Sequence, residues 1–318
     1  MKNNIILVST FGRKGASGIF FKQTIKFLEK KNKIFIEDFN LKENLFNSVL
    51  KIFNLYKKTN NNFIIHAQYG SGCGLIGCFL KGKKIITLRG SDILGFHLKK
   101  IIPFLRSKLT LYYLKHYKKV IVMSNEIKNY LIKNKINKNK IVLLTDPIDA
   151  KKFYKIDRNS ARKKLNLDLK KIYIFVPFIS SKYTEKNFEL VIKIQNIFST
   201  HKKYSFIIAN NKISHDDMVY YYNACNCTLI TSIYEGWPNV VKESLWCDTP
   251  VVTSNVSDLY RISKKTKYLK ICKFNEIDFV KKIIYLCNLE RPCKLSFFVE
   301  QFNMNNYIKK LNKLYKSI

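Results

Sequence analysis

Thr231-Ser232-Ile233-Tyr234-Glu235-Gly236-Trp237-Pro238-Asn239-Val240-Val241-Lys242-Glu243-Ser244-Leu245-Trp246-Cys247-Asp248-Thr249-Pro250-Val251-Val252 reads as the end of a buried strand, a short loop, a helix and the start of a second strand. The incoming strand is the apolar run Cys227–Thr231, the helix Asn239–Cys247 and the outgoing strand Pro250–Thr253. Strand, helix and strand in so few residues form a parallel pair with its crossover. Pro238 and Asn239 both suit a helix start. The unpaired amides of that first turn make an anion site, and Gly236 lets a ligand approach the backbone. Glu235 hangs beside this site as an acceptor for hydroxyls. Glu243, four residues after Asn239, shares its helix face. Carboxylates flanking an anion pocket suit a nucleotide sugar, with hydroxyls at both ends and a diphosphate between. A surface loop with two solvated glutamates gives the same spacing, so the whole phrase carries the inference rather than the spacing alone.

Outward from this unit the same alternation continues. Strands are expected at Ile5–Ser9, Ile34–Phe39, Phe63–Ala67, Ile85–Leu88, Val120–Met123 and Ile141–Leu144, with helices at Ile19–Lys30, Glu43–Lys57 and Asn125–Asn134. The scheme restarts with strand Ile172–Phe178, helix Phe188–Phe198 and strand Tyr204–Ala209. Between the halves, Asp146-Pro147-Ile148-Asp149 and a polar stretch to Lys171 read as a linker. The expectation is an α/β chain of two tandem Rossmann-like parallel-sheet domains facing a cleft. The first domain covers 1–148 and is completed by a closing amphipathic helix at 305–318; the second covers 149–304. Ligands of such sheets bind at the carboxyl ends of strands.

The 318 residues hold 58 basic and 22 acidic side chains, a net charge of +36. Seven of the 58 are arginines, which leaves 51 lysines. Nucleic-acid binders lean on arginine for bidentate contacts, so this balance argues against nucleic acid as a partner. The excess is either a sequence-wide lysine, isoleucine and asparagine bias or a basic surface fitted to one anionic partner. Eight cysteines contain no Cys-x-x-Cys pair and sit mostly in apolar runs, the pattern of reduced, buried thiols in a cytoplasmic protein. No stretch reaches the roughly 18 to 20 apolar residues of a spanning helix. The opening run Ile5-Ile6-Leu7-Val8 is too short for a signal-peptide core.

The segment from Tyr221-Tyr222-Asn223-Ala224-Cys225 through the Glu235-to-Glu243 phrase to Thr249-Pro250-Val251-Val252 resembles the donor-binding signature of family 4 retaining glycosyltransferases, whose architecture is termed GT-B. The resemblance implies a sugar transferred from a nucleoside-diphosphate sugar, with no cofactor, to a glycan or lipid-linked acceptor in cell-surface polysaccharide synthesis. It implies that Glu235 contacts the donor sugar, that Gly236, Trp237, Asn239 and Val240 cradle its phosphates, and that Glu243 holds the ribose. The glycine-rich stretch with Gly15, Ser17 and Gly18 resembles the loop that approaches the diphosphate. Phe175-Val176-Pro177 with Lys182 and Lys186-Asn187 resembles the strand and basic loop whose cations neutralise the leaving group, so Glu235 and Lys186 are the catalytic candidates. Positive charge at Lys186 and oriented amides at the helix start stabilise the departing phosphate.

Departures from the family pattern are as informative. Lysines stand where an arginine-lysine pair is usual, supplying charge without the bidentate fork. Arg89-Gly90-Ser91-Asp92 has arginine where relatives carry histidine, which leaves Arg89 and Asp92 as substrate-side candidates. Ser257 replaces the glycine usual after Val256. His66, at a strand end, is either a cleft residue or a structural one. No Asp-x-Asp pair or metal-ligand cluster occurs, so a metal-independent hexosyltransferase-type reaction is expected. Gly72-Cys73-Gly74-Leu75-Ile76-Gly77 matches a dinucleotide-binding pattern. It lacks the following helix length and acidic residue, and is read as a strand-to-helix turn. The stretch His97–Lys119 mixes basic with apolar and aromatic residues. It is either a helix packed on its own sheet with a solvated lysine face or an interfacial helix on anionic lipid. The latter would place the enzyme on the inner face of the cell membrane. Two other functions fit the chain: a basic Rossmann-like polyanion or nucleic-acid binding protein without catalysis, and a partner subunit that has lost catalysis.

Overall fold

The structure, a computed structural model, describes residues 3–10, 19–39, 45–178, 184–210 and 212–318. Gly15, Ser17, Gly18 and Lys182 lie outside the described residues. The chain divides into two units, Met1–Pro147 with Met304–Ile318, and Ile148–Asn303.

The first unit runs β1 (Asn4–Ser9), α1 (Ile19–Leu28), β2 (Lys33–Asp38), α2 (Leu45–Lys58), β3 (Phe63–Ala67), α3 (Ser71–Phe79), β4 (Lys83–Leu88), α4 (Ile101–Tyr113), β5 (Lys119–Val122), α5 (Asn125–Lys133) and β6 (Ile141–Leu143). Its six strands are ordered β2-β1-β3-β4-β5-β6 and pair in parallel throughout. β1 is an uninterrupted apolar run because helices cover both faces of a parallel sheet; Ile5, Leu7 and Val8 are buried. α3 is nine residues long and holds the glycine pattern for a steric reason. A Cβ on Gly74 would come within 2.6 Å of the Tyr113 ring, and one on Gly77 within 2.4 Å of the Tyr117 hydroxyl. These glycines let α3 sit close to α4 and its neighbours, and that packing accounts for the dinucleotide-like match.

The second unit runs α6 (Arg158–Lys164), β7 (Ile172–Val176), α7 (Phe188–Ile197), β8 (Tyr204–Ile208), α8 (Met218–Ala224), β9 (Cys227–Ile230), α9 (Asn239–Trp246), β10 (Val251–Ser254), α10 (Leu259–Ser263), β11 (Leu269–Cys272) and α11 (Glu276–Cys287). The sheet order is β11-β10-β9-β7-β8, all parallel. Counted from β8, this is the strand order of the first sheet again: second, first, third, fourth, fifth. In each sheet the chain reverses direction between its first and third strands, β1 and β3 in one, β7 and β9 in the other. Loops leaving a reversal point diverge, which opens a crevice at the carboxyl ends of those strands.

One expectation is overturned. The polar stretch after Asp149 is not a linker but part of the second unit. Phe153 is buried, and Arg162 on α6 is a buried hub donating to Ala224 O at 2.9 Å, Leu169 O at 2.7 Å and Asn226 Oδ1 at 2.9 Å. A guanidinium that feeds backbone carbonyls looks, in composition, like a solvated one. β11 and α11, with no counterpart in the sequence reading, complete the second sheet and one of its cores. The last helix, α12 (Met304–Lys316), belongs to the first unit, where Asn312 Oδ1 accepts from Asn32 at 2.8 Å. The eight cysteines are unpaired.

Candidate functional site

The reversal point of the second sheet brings together the loop after β7 and the loop after β9. Ile233 N donates to Glu185 O at 2.8 Å and the Thr231 hydroxyl to Lys186 O at 2.8 Å, so one backbone and one side-chain hydrogen bond stitch the two loops. Their side chains then meet: Lys186 Nζ lies 2.6 Å from Glu235 Oε1, which also accepts from Ser232 Oγ at 2.8 Å. Both contacts fall on Oε1; among the described residues none reaches Oε2. The pair is partly open to solvent, with side-chain exposures of 26% and 15%, so its value lies in position more than in stability.

Beyond Glu235 the loop turns into α9. Pro238 is its N-cap residue and supplies no side-chain cap; Val241 N already donates to Pro238 O at 3.1 Å, which leaves the amides of Asn239 and Val240 without an intrahelical partner. Asn239 Oδ1 is buried without a hydrogen-bond partner among the described residues. An orphaned buried acceptor costs about 1–3 kcal/mol, which a ligand hydroxyl or N–H here would offset. Gly236 O accepts from Ser257 Oγ at 2.9 Å. Ser257 has φ +56°, the left-handed region where glycine is easiest, and its hydroxyl braces the loop from that strained position. Trp237 is buried against Phe302 with ring centroids 4.8 Å apart. The ammonium of Lys242, itself 0% exposed, lies 5.3 Å from the Trp237 ring and 5.5 Å from Phe302. A buried cation thus stands about one turn into α9.

Glu243 is also buried, on the face of α9 turned to α8. Its Oε2 accepts from Tyr222 OH at 2.8 Å, and its Oε1 lies 3.5 Å from His215 Nε2. Burial first, and the Glu243 charge second, hold the Tyr222 phenol well above its ordinary pKa, so it stays a donor. Lys152 Nζ sits 2.5 Å from His215 Nδ1 and also contacts Asp216. An ammonium can only donate, so Nδ1 is the accepting nitrogen; Nε2, 3.5 Å from Glu243 Oε1, is buried and makes no hydrogen bond among the described residues. Glu235 and Glu243 are therefore dissimilar: one at a loop mouth on a lysine, the other held by a phenol with an imidazole beside it.

In the first unit, the sequence candidates occupy the ends of β3 and β4. His66 is buried with both nitrogens engaged, Nδ1 with Tyr315 OH at 2.7 Å and Nε2 with Thr87 Oγ1 at 2.8 Å. Asp92, fully buried, accepts from the amides of Gly70 at 2.8 Å, Gly90 at 2.9 Å and Arg89 at 3.1 Å. Arg89 donates to Gln68 O at 3.0 Å, to Gln68 Oε1 at 3.2 Å and to Asp146. Arg89 and Asp92 thus tie the loop after β4 to the loop after β3, while His66 ties β3 to Thr87 of β4 and Tyr315 near the chain's end. Tyr222, His215, Lys152, Lys242, Ser232 and Ser257 were not singled out as site residues from sequence. For Ser257 the signal was present, as a serine in a glycine's place. Among the described residues no group of three or more His, Cys, Asp or Glu is placed to hold a metal. None of their helices is long and apolar enough to cross a membrane.

Residues 207–296, which include the whole of this loop and α9, match the family described as glycosyl transferases group 1. An uncharacterized glycosyltransferase of Methanocaldococcus jannaschii, MJ1178, is 24% identical over 311 aligned positions, covering 86% of this chain and 82% of that one. Among solved structures, sucrose-phosphate synthase from Thermosynechococcus elongatus superposes with a TM-score of 0.79 at 16% identity, covering 99% of both chains. Anabaena Alr3699/HepE in complex with UDP and glucose gives 0.70 at 12% identity, covering 99% of this chain and 100% of that one. The fold class expected from sequence, two Rossmann-like parallel-sheet domains of GT-B type, is the fold these proteins share.

Proposed function

We propose that the chain is a retaining glycosyltransferase of family 4 type that moves a hexosyl group from a nucleoside-diphosphate sugar to a glycan or lipid-linked acceptor in polysaccharide synthesis. The observation that carries this reading is the meeting of Lys186, Glu235 and the uncapped start of α9 at one strand-reversal point. A diphosphate there is met by the amides after Gly236 and by the Lys186 ammonium, and Glu235 exchanges its lysine for a sugar hydroxyl. Glu243, oriented by Tyr222, takes the ribose. The acceptor hydroxyl oxygen bonds to the anomeric carbon as the carbon–oxygen bond to the diphosphate breaks. The acceptor proton passes to the departing phosphate on the same face. Because Lys186 and the helix amides supply the positive charge, the reaction is metal-independent in this proposal. Gly15, Ser17, Gly18 and Lys182 are donor-binding candidates in this proposal on the family resemblance alone, and Arg89 and Asp92 hold the loops after β3 and β4 on the substrate side of the first unit.

The match of residues 207–296 and the UDP and glucose named for Alr3699/HepE support a nucleotide-sugar donor. Thermal shift against a panel of nucleoside-diphosphate sugars tests it. One donor at about 100 times its dissociation constant should stabilise the native chain by about 2.7 kcal/mol and raise its melting temperature. An unchanged melting temperature across the panel contradicts the proposal.

A further inference from the structure

The connections β2 to β3, β3 to β4 and β4 to β5 all step in one direction along the first sheet. Right-handed crossovers therefore set α2, α3 and α4 on the same face of that sheet. α1, whose connection steps the opposite way, lies on the other face. The three helices leave much of their apolar surface outside. On α4, Ile101 and Ile102 are 77% and 72% exposed and Tyr112 66%; Phe46 on α2 is 72% exposed and Phe79 on α3 63%. Single exposed apolar residues are ordinary, but a run of them over three neighbouring helices marks a surface that is covered in use.

Charge says what covers it. None of the three helices contains an Asp or Glu, while α2 carries Lys51, Lys57 and Lys58 and α4 carries Arg106 and Lys108. The ammonium groups stand beside the exposed rings: Lys57 lies 4.4 Å from the Phe53 ring centroid, Lys81 4.4 Å from Tyr56, Lys108 5.5 Å from Phe104 and Lys115 4.1 Å from Tyr112. A second copy of this chain would bring like charges together, and a neutral apolar partner would leave the lysines unmatched. An anionic bilayer satisfies both halves, taking the apolar side chains into its interface and the ammonium heads among its phosphates. The helices are too short to span, so they lie in the plane of the membrane.

We infer that the α2–α3–α4 face of the first unit is a docking surface for an anionic lipid bilayer, with the enzyme held peripherally by insertion of Ile101, Ile102, Leu105 and the aromatic residues beside them. This stands on surface residues remote in sequence from Lys186 and Glu235 and does not depend on the catalytic reading.

Vesicle flotation of the full chain tests it, with phosphatidylglycerol and phosphatidylcholine vesicles and a soluble polyphosphate competitor. The wild type should float with phosphatidylglycerol and not with phosphatidylcholine, and binding should fall as salt rises. The double variant Ile102→Glu/Leu105→Glu should lose at least tenfold in vesicle affinity, and Phe46→Ser/Phe53→Ser severalfold, with unchanged thermal unfolding. No flotation of the wild type overturns the inference. Equal flotation of both variants, or complete displacement by polyphosphate, also overturns it by showing diffuse charge attraction alone. So does a lipid-free dimer that Ile102→Glu/Leu105→Glu dissolves, because a second copy then covers the face.

Discussion

Both nitrogens of His66 are spoken for, one by the Tyr315 hydroxyl on α12 and one by Thr87 on β4. Burial, and secondarily the nearby Arg89 charge, bring its pKa from 6.5 down to about 3. The folded state therefore keeps the ring neutral while the unfolded chain protonates it below pH 6.5. More protons on the unfolded state mean that stability rises with pH between about 3 and 6.5 and falls on acidification. Urea unfolding at pH 7, 6 and 5 should show this residue removing about 1.4 kcal/mol per pH unit below 6.5. His66→Gln should flatten that limb, and an equal slope in both proteins would contradict the assignment. The sequence could place His66 at a strand end but could not choose between a cleft role and a structural one, because Tyr315 lies 249 residues away. Tyr222 stands in the quoted donor-like segment, 21 residues before Glu243, but no local pattern shows that its hydroxyl meets that carboxylate. Lys242 was invisible for another reason: a lysine in a helix is read as solvated, and only Trp237 and Phe302 around it show that it is buried.

At the scale of elements, the strands and the helix starts were legible because each is a local pattern. Apolar runs bounded by polar residues gave β1, β3 and β7 within two residues of their ends, and the Pro238–Asn239 start of α9 needed only its own chemistry. Packing was not legible. Gly74 and Gly77 spelled a dinucleotide loop in sequence, whereas in the structure they are the shallow side of a helix pressed on Tyr113 and Tyr117. Gly77→Ala should therefore destabilise the chain by about 1–3 kcal/mol in urea unfolding, although alanine is the better helix former by about 1 kcal/mol. A stabilised variant would mean that the Tyr117 hydroxyl moves aside without cost. α6 was lost for the opposite reason, since its charged residues resemble a linker until Arg162 is seen among carbonyls.

Over the whole molecule, one strand order is used twice, and the reversal point of the second sheet brings Lys186 and Glu235 together. They meet where β7 and β9 part; Arg89 and Asp92 join the loops after β3 and β4, and His66 joins β3 to β4 and α12. The convergence of Lys186 and Glu235 was legible from strand alternation together with one donor-like phrase. The net charge of +36 was legible as a number, but whether it marked a surface was not. It becomes one where lysines ring exposed apolar side chains on helices free of acidic residues. The central claim is that a lysine and a glutamate at the second reversal point act on a nucleotide sugar. Nucleoside-diphosphate release from the donor that stabilises the protein, measured for the wild type, Lys186→Ala and Glu235→Ala, tests it most directly. Each substitution should lower turnover by about 10²–10³-fold, the cost of losing one preorganised group at a developing charge, while the fold persists. Equal turnover in all three proteins would contradict the claim.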